Sequence, residues 1–154
     1  MTELDAIYNT KILELAAAIP RTTRLARPDA TASAHSKLCG STVSVDLVVD
    51  GDIIVGFGQT VKACLLGQAA ASVVGREIIG CSGSEIRAVG ETMRAMLKEN
   101  GPPPTGKWAD LAVLEPVRDY KARHTSTLLV FEAVGRALDE TAERRAATGA
   151  ARSA

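Results

Sequence analysis

The feature that most constrains this fold is a period-two run broken by a turn dipeptide. Val43, Val45, Leu47 and Val49 alternate with Ser44, Asp46, Val48 and Asp50; Asp50-Gly51 follows; then Ile53, Val55 and Phe57 alternate with Ile54, Gly56 and Gly58. Successive side chains of a strand point to opposite faces, so each set marks one face of a sheet. Asp-Gly favours the backbone of a tight hairpin turn. The spacing therefore predicts a β-hairpin over residues 41–60. The small, polar run 30–37 reads as an edge strand beside it, giving a small antiparallel sheet of about three strands.

On either side of the sheet the period becomes helical. Leu4, Ile7, Ile12, Leu15 and Ile19 form one series that Pro20 stops, and the Arg-rich stretch 21–28 reads as a loop. After the hairpin, Leu66, Ala69, Ala70, Val73, Val74 and Ile78 make a stripe that Gly80 closes as a C-terminal cap. Ser82 with Glu85 reads as a capping box, opening a helix with Ile86, Val89, Met93, Met96 and Leu97 inward. Gly101 and three prolines end that helix. A short helix is expected over Trp108 to Leu114, and a last one from about Arg123 to Glu143 with Leu128, Phe131, Val134 and Leu138 inward. Residues 1–143 are expected to form one domain, and 144–154 a disordered tail with nothing to bury. One helix, a small antiparallel sheet and then several helices is the order of an α+β fold with helices packed on one face of the sheet.

Composition narrows function. Eighteen Lys plus Arg balance eighteen Asp plus Glu, and aromatic residues are 3% of the chain. Nucleic-acid binding draws on a basic surface and on aromatic stacking platforms, so it is not expected. No stretch approaches 18 apolar residues, so no membrane span is expected. The start of the chain lacks the basic-then-apolar order of a signal peptide, which points to a cytoplasmic protein. Nucleophile-elbow, Walker, zincin and dinucleotide-binding motifs are missing.

The remaining chemistry lies in three cysteines. Cys39 stands just before the hairpin and Cys64 just after it, at the start of a helix. A hairpin brings its ends together, so the two cysteines, 25 residues apart, should meet at one end of the sheet. A helix N-terminus favours thiolate, and two converging thiolates are half of a soft-metal site. The alternative stays open, because free cysteine often packs as a small hydrophobe. Cys81 follows the helix-capping Gly80 and reads as structural. His35 reads as an edge-strand residue, and His124 as a polar residue at the start of the last helix.

Three segments carry a family resemblance. They are Cys39-Gly40 before the hairpin, the Ala-Ser-rich run Cys64–Ser72 at the next helix start, and Val117-Arg118 with Ala122-Arg123 before His124-Thr125-Ser126. Over about residues 5–140 the chain resembles the NifU/IscU/SufU iron–sulfur cluster assembly scaffolds, and the SufU-like branch most closely. The resemblance implies three cysteine ligands and an Asp two positions after the first. Cys39 and Cys64 match, Ser41 stands at the Asp position, Ser126 at the third cysteine, and Cys81 matches no ligand. It implies a metal site of Cys39, Cys64 and a third ligand, for which His124 is the candidate. The cargo would be iron, zinc or a transient [2Fe–2S] unit, the partners a cysteine desulfurase and apo iron–sulfur proteins, and the role non-catalytic. Two other readings accompany it: a SufE-like persulfide relay using one exposed cysteine, and a degenerate member kept as a binding module.

Overall fold

The hairpin forms where the alternation puts it. In the computed structural model, which describes residues 9–38 and 40–153, the strands are β1 (Ala30–His35), β2 (Thr42–Asp50) and β3 (Ile53–Lys62). They pair antiparallel in the order β1-β2-β3. Gly51 takes φ 64° in the turn, the left-handed region that glycine enters without a steric cost. Val43, Val45, Leu47 and Phe57 are buried on the inner face. The alternation breaks once. Val48 pairs with Gly56 and Val49 with Ile54, so Val55 is the extra residue of a β-bulge. Beyond it Ile54 turns inward and is fully buried, while Ile53 and Val55 are exposed.

Both sheet edges are covered, as edges that do not recruit other strands must be. On β3, the Ile54 N–H donates to Cys81 O at 2.9 Å and the Gln59 N–H to Arg21 O at 2.9 Å. On the β1 side, Arg136 donates to Ser33 O at 3.0 Å, and Arg144 donates to Asp29 O. The Arg-rich stretch lies on the outer face. Buried Asp46 accepts from Arg24 Nε and Nη2 at 2.6 and 2.7 Å, from the Leu25 N–H at 2.9 Å and from Thr31 Oγ1 at 2.7 Å. The hydrogen bonds from Arg24 hold the Asp46 carboxyl down at about 2. Gly58 makes room for that crossing, since a Cβ there would sit 2.6 Å from Thr23 O.

Four α-helices complete the described chain: α1 (Thr10–Ala17), α2 (Leu65–Glu77), α3 (Gly83–Lys98) and α4 (His124–Ser153). Asn9 caps α1 by accepting from the Ile12 N–H at 3.0 Å; Leu4 and Ile7 of the expected first series lie outside the described residues. The stripe expected for α2 is buried throughout, and the burial extends around the helix, from Leu66 to Gly75 with Gln68 partly open. The reason is position: α2 packs against α1, α4, β3 and the 3-10 segment described next.

Three expectations need correction. The short helix over Trp108 to Leu114 is instead a long 3-10 segment, Gly106–Asp119. Its buried residues are Trp108, Leu111, Leu114 and Val117, every third residue, which is the repeat of a 3-10 helix. On α4 the buried arc is Leu129, Val130, Ala133, Val134, Ala137 and Leu138, whereas Leu128 and Phe131 are half-buried. That helix packs on β1 and β2 as well as on α2 and α3, so its inner arc is wider than a single stripe. Nor does helical backbone stop near Glu143. It runs on to Ser153. Residues 144–153 are rich in Ala and Arg, strong helix formers, and extending an existing helix avoids the nucleation cost.

Candidate functional site

The pairing of Thr42 with Lys62 brings the two ends of the hairpin together. Two residues after β3, Cys64 is the N-cap of α2. The loop leading into β2 lies at the same end, closed by the Ser36 N–H on Ser41 O and the Gly40 N–H on Ser36 O, both 2.8 Å. Gly40 needs its φ of 71° for that turn. Cys39, between Leu38 and Gly40, lies outside the described residues. Leu38 is 77% exposed, so an apolar side chain stands in solvent beside it, and Ser41 is buried.

Cys64 is half-buried and in no disulfide. The Cys64 side chain makes no capping hydrogen bond at the α2 N-terminus, and the first turn carries no acidic residue. The positive end of the helix dipole therefore faces position 64 without an acidic residue in the first turn to offset it. Its thiol donates to Ser126 Oγ at 3.4 Å. Ser126 is buried in the first turn of α4 and donates in turn to Arg123 O at 3.2 Å.

A residue the sequence reading passed over makes this contact possible. Gly67 faces the start of α4, and a Cβ there would lie 2.8 Å from Ser126 O and 2.9 Å from Ala63 Cβ. An isolated glycine inside a helical pattern is a cue to close packing, and that signal was present in the sequence.

His124 opens α4, as expected of a polar first-turn residue, and it is buried. Its Nε2 lies 3.1 Å from both Val117 O and Arg118 O. Carbonyl oxygens only accept, so Nε2 carries the proton and Nδ1 holds the lone pair in the neutral ring. His35 is exposed on the outer face, with Nδ1 3.0 Å from Thr42 Oγ1. Cys81 is buried at the other end of β3, where its backbone pairs with Ile54, so it stands apart from Cys64. Among the described residues, no three His, Cys, Asp or Glu side chains converge on a point that could hold a metal ion. Nor is any helix among them long and apolar enough to cross a membrane.

The structure closely matches that of the N-terminal part of a nitrogen-fixing NifU-like protein from Brucella abortus. Identity is 51%, coverage is 92% of this chain and 99% of the other, and the TM-score is 0.90. This chain belongs to the NifU-like family. A protein assigned as an iron–sulfur cluster assembly scaffold for the SUF system, from Fervidobacterium islandicum AW-1, shares the fold at 20% identity, covering 87% and 98% of the two chains with a TM-score of 0.79. The same fold recurs in a hypothetical protein at 18% identity, covering 88% and 98%, with a TM-score of 0.77. No protein-family model and no curated protein matches the sequence. In this NifU-like chain, the serine at the slot implied for the third family cysteine is the side chain that Cys64 touches.

Proposed function

We propose that this NifU-like domain is a scaffold that holds an iron–sulfur unit, or a single iron or zinc ion, in transit between a sulfur-donating cysteine desulfurase and apo iron–sulfur proteins. Cys39 and Cys64 would bind the cargo as thiolates, and the start of α4 would supply the third position. The observation that carries this reading is the 3.4 Å approach of Ser126 Oγ to Cys64 Sγ at a helix N-terminus that the Cys64 side chain does not cap. Soft ions prefer thiolate, and a neutral serine hydroxyl is a far weaker ligand. A site with two thiolates and a weak third position retains its cargo loosely, which suits transfer. His124 remains the candidate third ligand. A metal-bound imidazole ordinarily donates its other N–H to a carbonyl or carboxylate, and the His124 Nε2–H already has two carbonyl partners.

The test is Ser126→Cys. It restores a thiolate beside Cys64 with little change in volume. Reconstituted anaerobically, the variant should hold zinc or a [2Fe–2S] cluster at least tenfold longer against a chelator, about 1.4 kcal/mol of added affinity. Equal or faster loss would place the third ligand elsewhere.

The sulfur-relay reading draws on one specific feature: Cys64 is a half-exposed thiol at a helix start. Persulfide on Cys64 after incubation with a desulfurase and cysteine, with no metal dependence, would favour relay over scaffold.

A further inference from the structure

Outside this site one cluster brings a buried thiol against a primary amine. Cys81 is fully buried after α2, and Lys107 Nζ reaches its Sγ at 3.0 Å from the 3-10 segment. The two residues are 26 positions apart. Glu85 Oε2 organises the pair. It lies 3.4 Å from Cys81 Sγ and 3.4 Å from Lys107 Nζ, and it accepts from Trp108 Nε1 at 3.1 Å. Lys107 Nζ also sits 5.6 Å from the centre of the Trp108 ring, a cation–π distance. The amine is thereby held over the sulfur by two groups, the Glu85 carboxylate and the Trp108 ring, and the carboxylate can take a proton. Burial pushes the Cys81 thiol up, so at neutral pH it is a protonated thiol. None of this serves the Cys64 site, and Cys81 matches none of the ligands that the family resemblance implies.

We infer that Cys81 and Lys107 form an oxidative modification site, in which a single oxygen atom bridges Sγ and Nζ. The 3.0 Å separation is a hydrogen-bond contact, and the two atoms need approach only by a few tenths of an ångström to reach the span of one bridging oxygen. The oxidant is a peroxide. In the first step Glu85 takes the thiol proton and the thiolate so formed attacks hydrogen peroxide: sulfur gives up two electrons and becomes a sulfenic acid, and the displaced hydroxide leaves as water with the proton Glu85 took. In the second step another hydrogen peroxide takes two electrons from nitrogen. The sulfenic oxygen becomes bonded to Nζ, two waters leave, and the ammonium loses one further proton, for which Glu85 is the adjacent acceptor. The product is a sulfur–oxygen–nitrogen bridge with one N–H left on Lys107. It ties the α2–α3 connection to the 3-10 segment, and a thiol reductant reverses it.

The experiment exposes the folded protein to hydrogen peroxide and maps tryptic peptides without reductant. Cys81 lies in peptide 77–87, while Cys39 and Cys64 fall in others. A bridged Lys107 resists trypsin, so the expected product is 77–87 joined to 99–118. Its mass should exceed that of the two peptides by about 14 Da, one oxygen gained and two hydrogens lost. Dithiothreitol should release both peptides. Lys107→Arg keeps the positive charge but has no primary amine, and it should give no linked species. The assignment is overturned if Cys81 appears only as free thiol or as sulfenic or sulfinic acid while Cys64 is oxidised. It is also overturned by a linked pair lacking the added oxygen, or by a link that persists in Lys107→Arg.

Discussion

Replacing Gly67 by alanine sets two effects against each other, and the structure decides which one wins. Gly67 is the third residue of α2, where alanine is favoured over glycine by about 1 kcal/mol in an open helix. Here the new Cβ would lie 2.8 Å from Ser126 O and 2.9 Å from Ala63 Cβ, well inside the 3.4 Å at which ordinary contact begins. The near atom in α4 is backbone, which cannot rotate away, so the helix starts must part. Overpacking costs about 1–3 kcal/mol, and a clash under 3.0 Å with backbone belongs to the upper half of that range, about 2–3 kcal/mol. The net loss should be about 1–2 kcal/mol, a fall in Tm of about 3–6 °C for a chain of this size. The helix separation should also weaken the contact between Cys64 and Ser126. Gly135→Ala is the internal control. It lies within α4, and a Cβ there would meet only Arg87 Nη1 at 3.9 Å, so alanine should raise Tm. Thermal melts of the wild type and both variants read the difference. If Gly67→Ala melts at or above the wild type, α2 and α4 do not approach as closely as described, and the contact at the site loses its structural basis.

Two further outcomes follow from the same framework. Asp46 is held at about 2 against an ordinary 3.8, so its contribution is fully present above 3.8 and is lost as pH falls towards 2. Acid melts should show the wild type losing about 2 kcal/mol more than Asp46→Asn between pH 5 and 2, and parallel curves would refute the Arg24–Asp46 clamp. Ser82 accepts the Glu85 N–H at 3.1 Å, so Ser82→Ala should cost about 1 kcal/mol in denaturant melts; no change would remove that cap from the account.

What the sequence revealed divides along physical lines. The hairpin, the α2 stripe and the Ser82 cap are local patterns, and each appears where its spacing puts it. The bulge at Val55 is not local, because it depends on how β3 meets both β2 and the Cys81 backbone. The 3-10 segment was legible in principle. Trp108, Leu111, Leu114 and Val117 repeat every third residue, but over a short window that spacing reads as an α-helix. At the site, the juxtaposition of the hairpin's ends followed from topology alone. The approach of Ser126 to Cys64 needed the packing of α4 on α2, which no spacing encodes and which Gly67 only hints at. The carbonyl partners of His124 come from the end of the 3-10 segment and could not be read before that segment's geometry was known.

The central claim is that Cys39 and Cys64 hold a metal together. Its most direct test is metal and sulfide content, with absorption spectra, of protein purified and reconstituted anaerobically, comparing the wild type with Cys39→Ala, Cys64→Ala and Cys81→Ala. Circular dichroism would confirm that each variant is folded. The account predicts bound metal in the wild type and in Cys81→Ala, and its loss in both Cys39→Ala and Cys64→Ala. Undiminished metal in Cys39→Ala and Cys64→Ala, or loss in the folded Cys81 variant alone, would contradict it.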